Sequence, residues 1–600
     1  MNRFYYFTLL IFIPLVAQTQ NLDNLKDQEP VKVSGSVNAS GVFYNASGIE
    51  NRRDPFNWFT TGNLNLDIYG WSIPFSFSFS NQNRSFSQPF NRYGITPQYK
   101  WVKAYLGYNS MNFSKYTLAG HVFLGAGVEL TPGKWQFSAM YGELNKAVPE
   151  DTLAVTSNLP AFKRMGYGMK AGYHDQAHSL EVIIFKAEDE VGSIPYVPVQ
   201  NEVLPKENLV VSFLGRKQLF KRVSLNMEYA TSALTHDIRS EEVESGHTLA
   251  QTPLFTSRAS SQFNNAFNTS IAYNGNTYVL QLNYERIDPG FNTLGAYFFN
   301  DDLENLTVSG SVRALKNKLT LGANVGKQKN NLEETEVSST ERVIASFNAN
   351  YIPDQHWNIN ATYSNFTTFT NVRPRFDPFF QNDLDTLNFY QVNKNGSMSI
   401  GYSFGSRENK QSVLFTGSYQ ESSDENDEIN ETNTSYFYNG NLAYRYMVSA
   451  SGLSVSSGVS MYRSELSMAE STTIGPNISI TKSMWKKALR STLATSYNMQ
   501  EYSDNPSSKV LTVRLGLNLT PEKLRKKEEE LKEENQEHST TTGEALPEGV
   551  AQKDSLAEPV KKKWSGSHRL GLNLIYLNKT GEATTNFNEI TATLTYSYSF

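Results

Sequence analysis

The sequence of 600 residues contains no cysteine. That excludes disulfides, thiolate metal centres and the lipid-modified cysteine of a lipoprotein, and it suits an oxidising compartment. Long hydrophobic runs are also missing: beyond Ala17 nothing approaches the roughly 20 apolar residues that a spanning helix requires. A net charge of −5 with no basic, aromatic-interleaved stripe gives no reason to expect a nucleic-acid partner. The 8 histidines are scattered. No HExxH, GxSxG or glycine-rich phosphate loop occurs, so no catalytic residue, cofactor or metal ligand is assigned and no enzyme is expected.

What the chain does have is aromatic residues, 13% of the total with 33 Tyr and 36 Phe, against hydrophobics of only 39%. A soluble core so rich in rings needs matching aliphatics. A membrane barrel does not, because it carries aromatic girdles around a polar interior. The first 19 residues have the layout of an export signal. Asn2-Arg3 precede an apolar run, Phe4 to Ala17, and a polar stretch with small residues for cleavage after Ala17 or Thr19. As an anchor helix the run is too short.

From Lys32 onward the dominant pattern is alternation. Leu511, Val513, Leu515, Leu517 and Leu519 share one face, opposite Thr512, Arg514, Gly516 and Asn518. Leu570, Leu572, Leu574 and Tyr576 repeat it, as do Ile73, Phe75, Phe77 and Phe79. One such strand fits a soluble sandwich equally well, but repetition along nearly the whole chain does not. Short connections, at Gly70, Asn109-Ser110, Asn274–Asn276, Lys316 and Met484–Lys487 among others, alternate with long polar ones. With a bend at Gly120-His121 they give about 26 strands, within a range of roughly 24 to 26. The expected fold is all-β: one antiparallel transmembrane barrel over residues 32–600, with short periplasmic turns and long outer loops. A charged segment, Pro521–Lys563, interrupts it where a periplasmic turn belongs. Its start suits a helix and the rest a solvated linker. It is expected either to stay solvated or to dock a periplasmic partner.

The chain ends Leu594-Thr-Tyr596-Ser-Tyr598-Ser-Phe600, with the rings on one face. This resembles the closing strand of Gram-negative outer-membrane β-barrel proteins, in style those of the Bacteroidota. The resemblance implies an outer-membrane location, contact with lipid, and recognition of Tyr596, Tyr598 and Phe600 by the barrel-assembly machinery. TonB-dependent receptors carry a globular plug before the first strand. Only about Gln20 to Val31 stands there in this sequence, so energised uptake by this chain alone is not expected.

A loop motif recurs. Arg286-Ile-Asp288-Pro289 precedes Phe298-Phe299-Asn-Asp-Asp302-Leu-Glu-Asn-Leu306, and Arg375-Phe-Asp377-Pro378 precedes Phe379-Phe380-Gln-Asn-Asp383-Leu-Asp-Thr-Leu387. Arg53-Asp54-Pro55-Phe56 is a weaker copy. Asp-Pro starts turns, Arg pairs with Asp, and rings join the girdle. Alternatively the three loops fold together over the mouth as a lid or docking surface. The carboxylates of residues 422–431 suit a solvated loop tip better than a calcium site, since the glycine and spacing of an EF-hand are lacking. Lys103, Glu285, Arg313, Arg445, Arg514 and Arg569 fall on the lumen phase and are candidates for setting selectivity. The leading expectation is a channel or a membrane-embedded scaffold of an envelope complex with a periplasmic or surface protein partner. A stand-alone diffusive porin is the alternative, and a hydrolase built from sequence-distant residues is a third.

Overall fold

In a computed structural model, the structure describes residues 31–600 except 82–90, 151–159, 196–202, 334–340, 366, 369–390, 393, 425–432, 467–468, 504–506, 522–565 and 582–585. The expected export signal, the second motif copy (Arg375, Asp377, Phe379 and Phe380) and nearly all of the charged segment lie outside the described residues. So does most of the 422–431 loop.

The alternating segments form one antiparallel sheet of 27 strand pieces. Two of these, Arg92–Ile95 and Gln98–Tyr99, are a single strand broken at Thr96-Pro97, where proline cannot donate to the ladder. The sheet therefore has 26 strands, the upper end of the expected range. It closes: Val31–Ser47 pairs with Phe56–Ile68 on one side and with Phe587–Ser599 on the other. The seam ends in reciprocal backbone bonds, Gly35 N–H to the Phe600 carbonyl at 3.0 Å and Phe600 N–H to the Gly35 carbonyl at 3.1 Å. Closure leaves no free edge, which is the condition for a sheet to cross a bilayer. Among the described residues no helix is long and apolar enough to span one.

Side-chain period two sorts the wall into two faces. Leu570, Leu572, Leu574 and Tyr576 lie opposite Tyr596, Leu594, Ala592 and Ile590 in register. Leu594 and Ile590 are half-exposed on the outside of the barrel, where hydrocarbon replaces water. At the short-turn end, pairs such as Trp71–Tyr99, stacked at 4.9 Å, and Trp357–Tyr402 at 4.5 Å make an aromatic belt.

Two turns differ from expectation. Asn109-Ser110 lies inside the strand Val102–Asn112, and the turn before that strand is Lys100-Trp101. Gly120-His121 lies inside the strand Ala119–Leu130, and the chain bends instead over residues 113–118. The polar pair Asn109-Ser110 mimicked a turn while sitting in a ladder. Because both turns moved together, the strand count was unaffected.

Candidate functional site

A wall of 26 strands encloses more space than side chains of the wall can fill. Part of this interior is filled by two loops from the long-loop end. One is residues 113–118, between Val102–Asn112 and Ala119–Leu130. The other is residues 288–302, between Tyr278–Ile287 and Leu303–Ala314.

The second loop enters through a tight turn. The Asp288 carbonyl accepts from Phe291 N–H at 3.1 Å, with Pro289 and Gly290 between them and Gly290 at φ +77. A positive φ after proline is the type II turn, which glycine supplies without steric cost. Asp288 also accepts from the Arg286 guanidinium at 3.3 Å and from Asn265 N–H at 3.0 Å, fixing the exit angle of the chain.

Inside, Phe291 is 1% exposed and Tyr116 is fully buried. The two rings meet edge to face at 5.9 Å, and Phe299 closes the triangle at 5.2 Å from Phe291. They pack on the lumen-facing Val210, Ala230, Ala266 and Ile287. Leu294 and Leu118 continue into a second cluster with Phe113, Phe123, Ile183 and Phe185. Hydrogen bonds join the loops directly: Thr293 Oγ1 donates to the Thr117 carbonyl at 2.7 Å, and Ala119 N–H to that of Gly295 at 2.9 Å. A Cβ at Gly295 would stand 2.5 Å from the Thr117 oxygen, so only glycine allows this approach. Asn208 holds the loop to the wall, accepting from Leu294 N–H at 3.1 Å, while Ser232 Oγ donates to the Asn292 carbonyl at 2.7 Å.

Polar groups within this fill are satisfied. The Tyr116 hydroxyl donates to Glu285 at 2.6 Å, and Lys115 pairs with the same carboxylate. Burial first, then the Glu285 charge, pushes the Tyr116 hydroxyl far above the usual phenol range, so it stays protonated as a donor. His121 stacks on Tyr297 at 4.1 Å, and the Tyr297 hydroxyl accepts from Val122 N–H at 3.0 Å.

The loop of residues 236–260 behaves differently. Leu249 and Phe255 bury against Leu209 and Ala233, which lie on the outer face near the loop end of the wall. His247 stacks on Phe263 at 4.4 Å, and its Nδ1 accepts from Leu249 N–H at 3.3 Å. The segment is thus a clasp on the outside of the barrel.

The expected site residues are distributed as follows. Arg286 and Asp288 form the turn just described, Phe299 is partly buried in the aromatic triangle, and Phe298 is 70% exposed. The weaker copy packs elsewhere: Arg53 lies over the Tyr44 ring at 4.7 Å, and Asp54 accepts through its carbonyl from Asn57 at 3.3 Å. The partner of the 288–302 loop is therefore the 113–118 loop. Lys103 sits over the Tyr105 ring at 4.6 Å, and Arg445 donates to Ser454 at 3.0 Å. Arg313, Arg445 and Arg569 are exposed within the lumen, Arg514 half-buried. Tyr596 and Tyr598 both contact His568, by a 2.8 Å hydrogen bond and a 4.5 Å ring contact respectively. Tyr116, Phe291, Leu294 and Tyr297 were not singled out from the sequence. The available signal was the run Phe291-Asn-Thr-Leu294-Gly-Ala-Tyr297, too apolar for a loop in water. Among the described residues no group of three or more His, Cys, Asp or Glu is placed to hold a metal ion.

No family model and no curated protein matches this chain. Solved structures similar to it are outer-membrane β-barrels. The translocation pore of the P pilus usher PapC is 10% identical at a TM-score of 0.35, with 94% of this chain and 98% of that one covered. The FrpB iron transporter from Neisseria meningitidis is 10% identical at 0.36, with 96% and 83% covered. OccAB2 of Acinetobacter baumannii is 8% identical at 0.26, with 66% and 93% covered.

Proposed function

We propose that this chain is an outer-membrane channel whose lumen is narrowed from one side by the paired loops 113–118 and 288–302. The observation that carries the reading is the burial of Tyr116 and Phe291 against each other inside the wall. Loops exposed to water do not order such rings, whereas loops that constrict a lumen do. The wall opposite, from Leu303–Ala314 to Ser567–Gly581, offers serine, threonine, asparagine and glycine to the interior. Asn324 lies beside Ser346 and Asn360 beside Ser399 there, a surface suited to hydrated solutes. The scaffold reading draws on the outer clasp, which presents an ordered surface near the loop end.

The test is conductance. Purified protein in planar bilayers is expected to give discrete current steps. A variant with residues 291–298 replaced by a short glycine-serine linker is expected to give larger ones. No steps from either protein, at a heat-modifiable and therefore folded mobility, would remove the channel reading.

A further inference from the structure

Charge is spread unevenly over the interior face of the wall. On the side carrying the inserted loops, acid and base occur together: Lys170 pairs with Glu181, Arg164 with Asp189 at 2.8 Å, and Lys115 with Glu285. On the opposite side the balance is lost. From the strand Leu303–Ala314 to the strand Ser567–Gly581, the turn-proximal half of the interior face carries Arg313, Lys410, Arg445, Arg490, Arg514 and Arg569. No described carboxylate shares that half of the face. Glu304, Glu421, Glu465 and Glu501 of these strands lie on the outer face toward the loop end.

Register places the cations at similar depth. Arg313, Lys410, Arg445, Arg490 and Arg569 each stand within three residues of their strand's turn end or start, roughly 10 Å along the strand. All five are exposed to the lumen, and none forms an ion pair with a described residue. Among the described residues, the intervening turns add Lys316, Lys318, Arg407, Lys486 and Lys487 against Asp354 and Glu408. Like charges gathered on one surface repel, and nothing in the fold of these strands needs them: Ser, Thr and Asn fill equivalent positions beside them. Guanidinium groups do not shed their protons to relieve the strain. A low-dielectric wall focuses such a field into the water it encloses.

We propose that this arc, at the short-turn mouth of the lumen, is an anion-binding site, and that the solutes served are hydrophilic anions carrying carboxylate, phosphate or sulfate groups. The proposal rests on the channel reading for permeation, but not for binding. Rings of lysine and arginine select anions in pores by the same electrostatics. The hydroxyl- and amide-rich wall above the arc hydrogen-bonds water or a hydroxyl-bearing solute.

The test uses the full-length protein and one variant, R313Q/K410Q/R445Q/R490Q/R569Q, which removes the charge and keeps polarity at exposed positions. Heat-modifiable mobility checks its folding. Under a KCl gradient of about tenfold, the wild-type reversal potential is expected on the chloride-selective side, and that of the variant close to zero. Sulfated dextran is expected to block current only from the compartment facing the short turns, while a small phosphate permeates. Block without phosphate passage identifies a polyanionic chain as the ligand. Cation selectivity in the wild type, or equal reversal potentials in the two proteins, overturns the proposal. A wild type that passes no current overturns the channel reading alone. The binding arm still decides the arc: fluorescence anisotropy of pyrene trisulfonate with detergent-solubilised protein should show salt-sensitive binding, weakened roughly tenfold or more in the variant. Equal binding by both proteins, or none by the wild type, overturns it.

Discussion

Tyr116 donates its hydroxyl to the Glu285 carboxylate at 2.6 Å across the interior of the barrel, although 169 positions separate the two in sequence. The contact ties an inserted loop to a wall strand on the far side of seven intervening connections, so it reports on the docked state of the constriction. A hydrogen bond to a charged acceptor contributes about 1.5–3 kcal/mol. Tyr116→Phe keeps the ring against Phe291 and removes only that bond. The open population is then expected to rise by about ten- to a hundred-fold, read as more frequent transitions to a larger conductance and faster proteolysis within residues 113–118. Unchanged gating would show that packing alone holds the loop.

Packing has its own test, because two phenylalanines of the 288–302 loop are unequally buried. Phe298 is 70% exposed, whereas Phe291, outside the motif's paired rings, is 1% exposed. Removing a buried phenylalanine typically costs about 3–5 kcal/mol, and exposed substitutions stay within about 0.5 kcal/mol. Phe291→Ala should therefore release the loop and raise conductance, while Phe298→Ser leaves both conductance and thermal stability close to wild type. Equal effects of the two would contradict the observed burial.

The barrel was legible in the sequence because period-two alternation is local: Leu511 to Leu519 and Leu570 to Tyr576 announce both the strand and its apolar face without reference to any neighbour. Turn positions were less so, since Asn109-Ser110 carries turn chemistry yet lies in a ladder. The constriction was only half visible. Arg286-Asp288-Pro289-Gly290 marks a turn from sequence alone, but which loop Phe291 meets depends on a chord across the barrel, and no local pattern encodes that. Repetition of the motif suggested its copies as mutual partners. The described copies instead pack where their own strands place them, Arg53 on Tyr44 and Phe291 on Tyr116. The basic arc needed register as well as parity, because Arg490 and Lys410 read as ordinary strand-end charges until their depth was set beside Arg313.

The outer clasp gives a pH dependence. Burial holds the His247 imidazole below its ordinary value of 6.5. A detached clasp leaves His247 free to titrate near 6.5, so below that pH the detached state binds more protons than the docked one. Docking is accordingly at full strength above about 6.5 and weakens as pH falls from there toward the lower docked value. Protonation also removes the lone pair by which Nδ1 accepts from Leu249 N–H. Limited proteolysis between residues 241 and 247 is expected to accelerate at about pH 5 relative to about pH 7.5. His247→Gln retains an acceptor and does not titrate, so it should flatten that dependence. A wild-type clasp equally resistant at both pH values would rule out His247 as the sensor.

The closing seam separates assembly from architecture. Phe600 exchanges two backbone hydrogen bonds with Gly35, at 3.0 and 3.1 Å, and its ring lies 5.3 Å from that of Tyr598. Deleting Phe600 removes both the bonds and the ring, while Phe600→Ala removes the ring only. If the terminal aromatic face is read by the assembly machinery, as its resemblance to other barrel termini implies, both changes should lower the amount of heat-modifiable protein in the outer-membrane fraction. Tyr596→Ala/Tyr598→Ala should do the same, although those residues also anchor His568. If the terminus matters only for closure, Phe600→Ala should assemble normally, because the Gly35 bonds survive it. Quantifying assembled barrel against total expressed chain for the three variants decides between the two. Wild-type levels for Phe600→Ala together with loss for the deletion would assign the terminal residue to the seam and leave the recognition role without support.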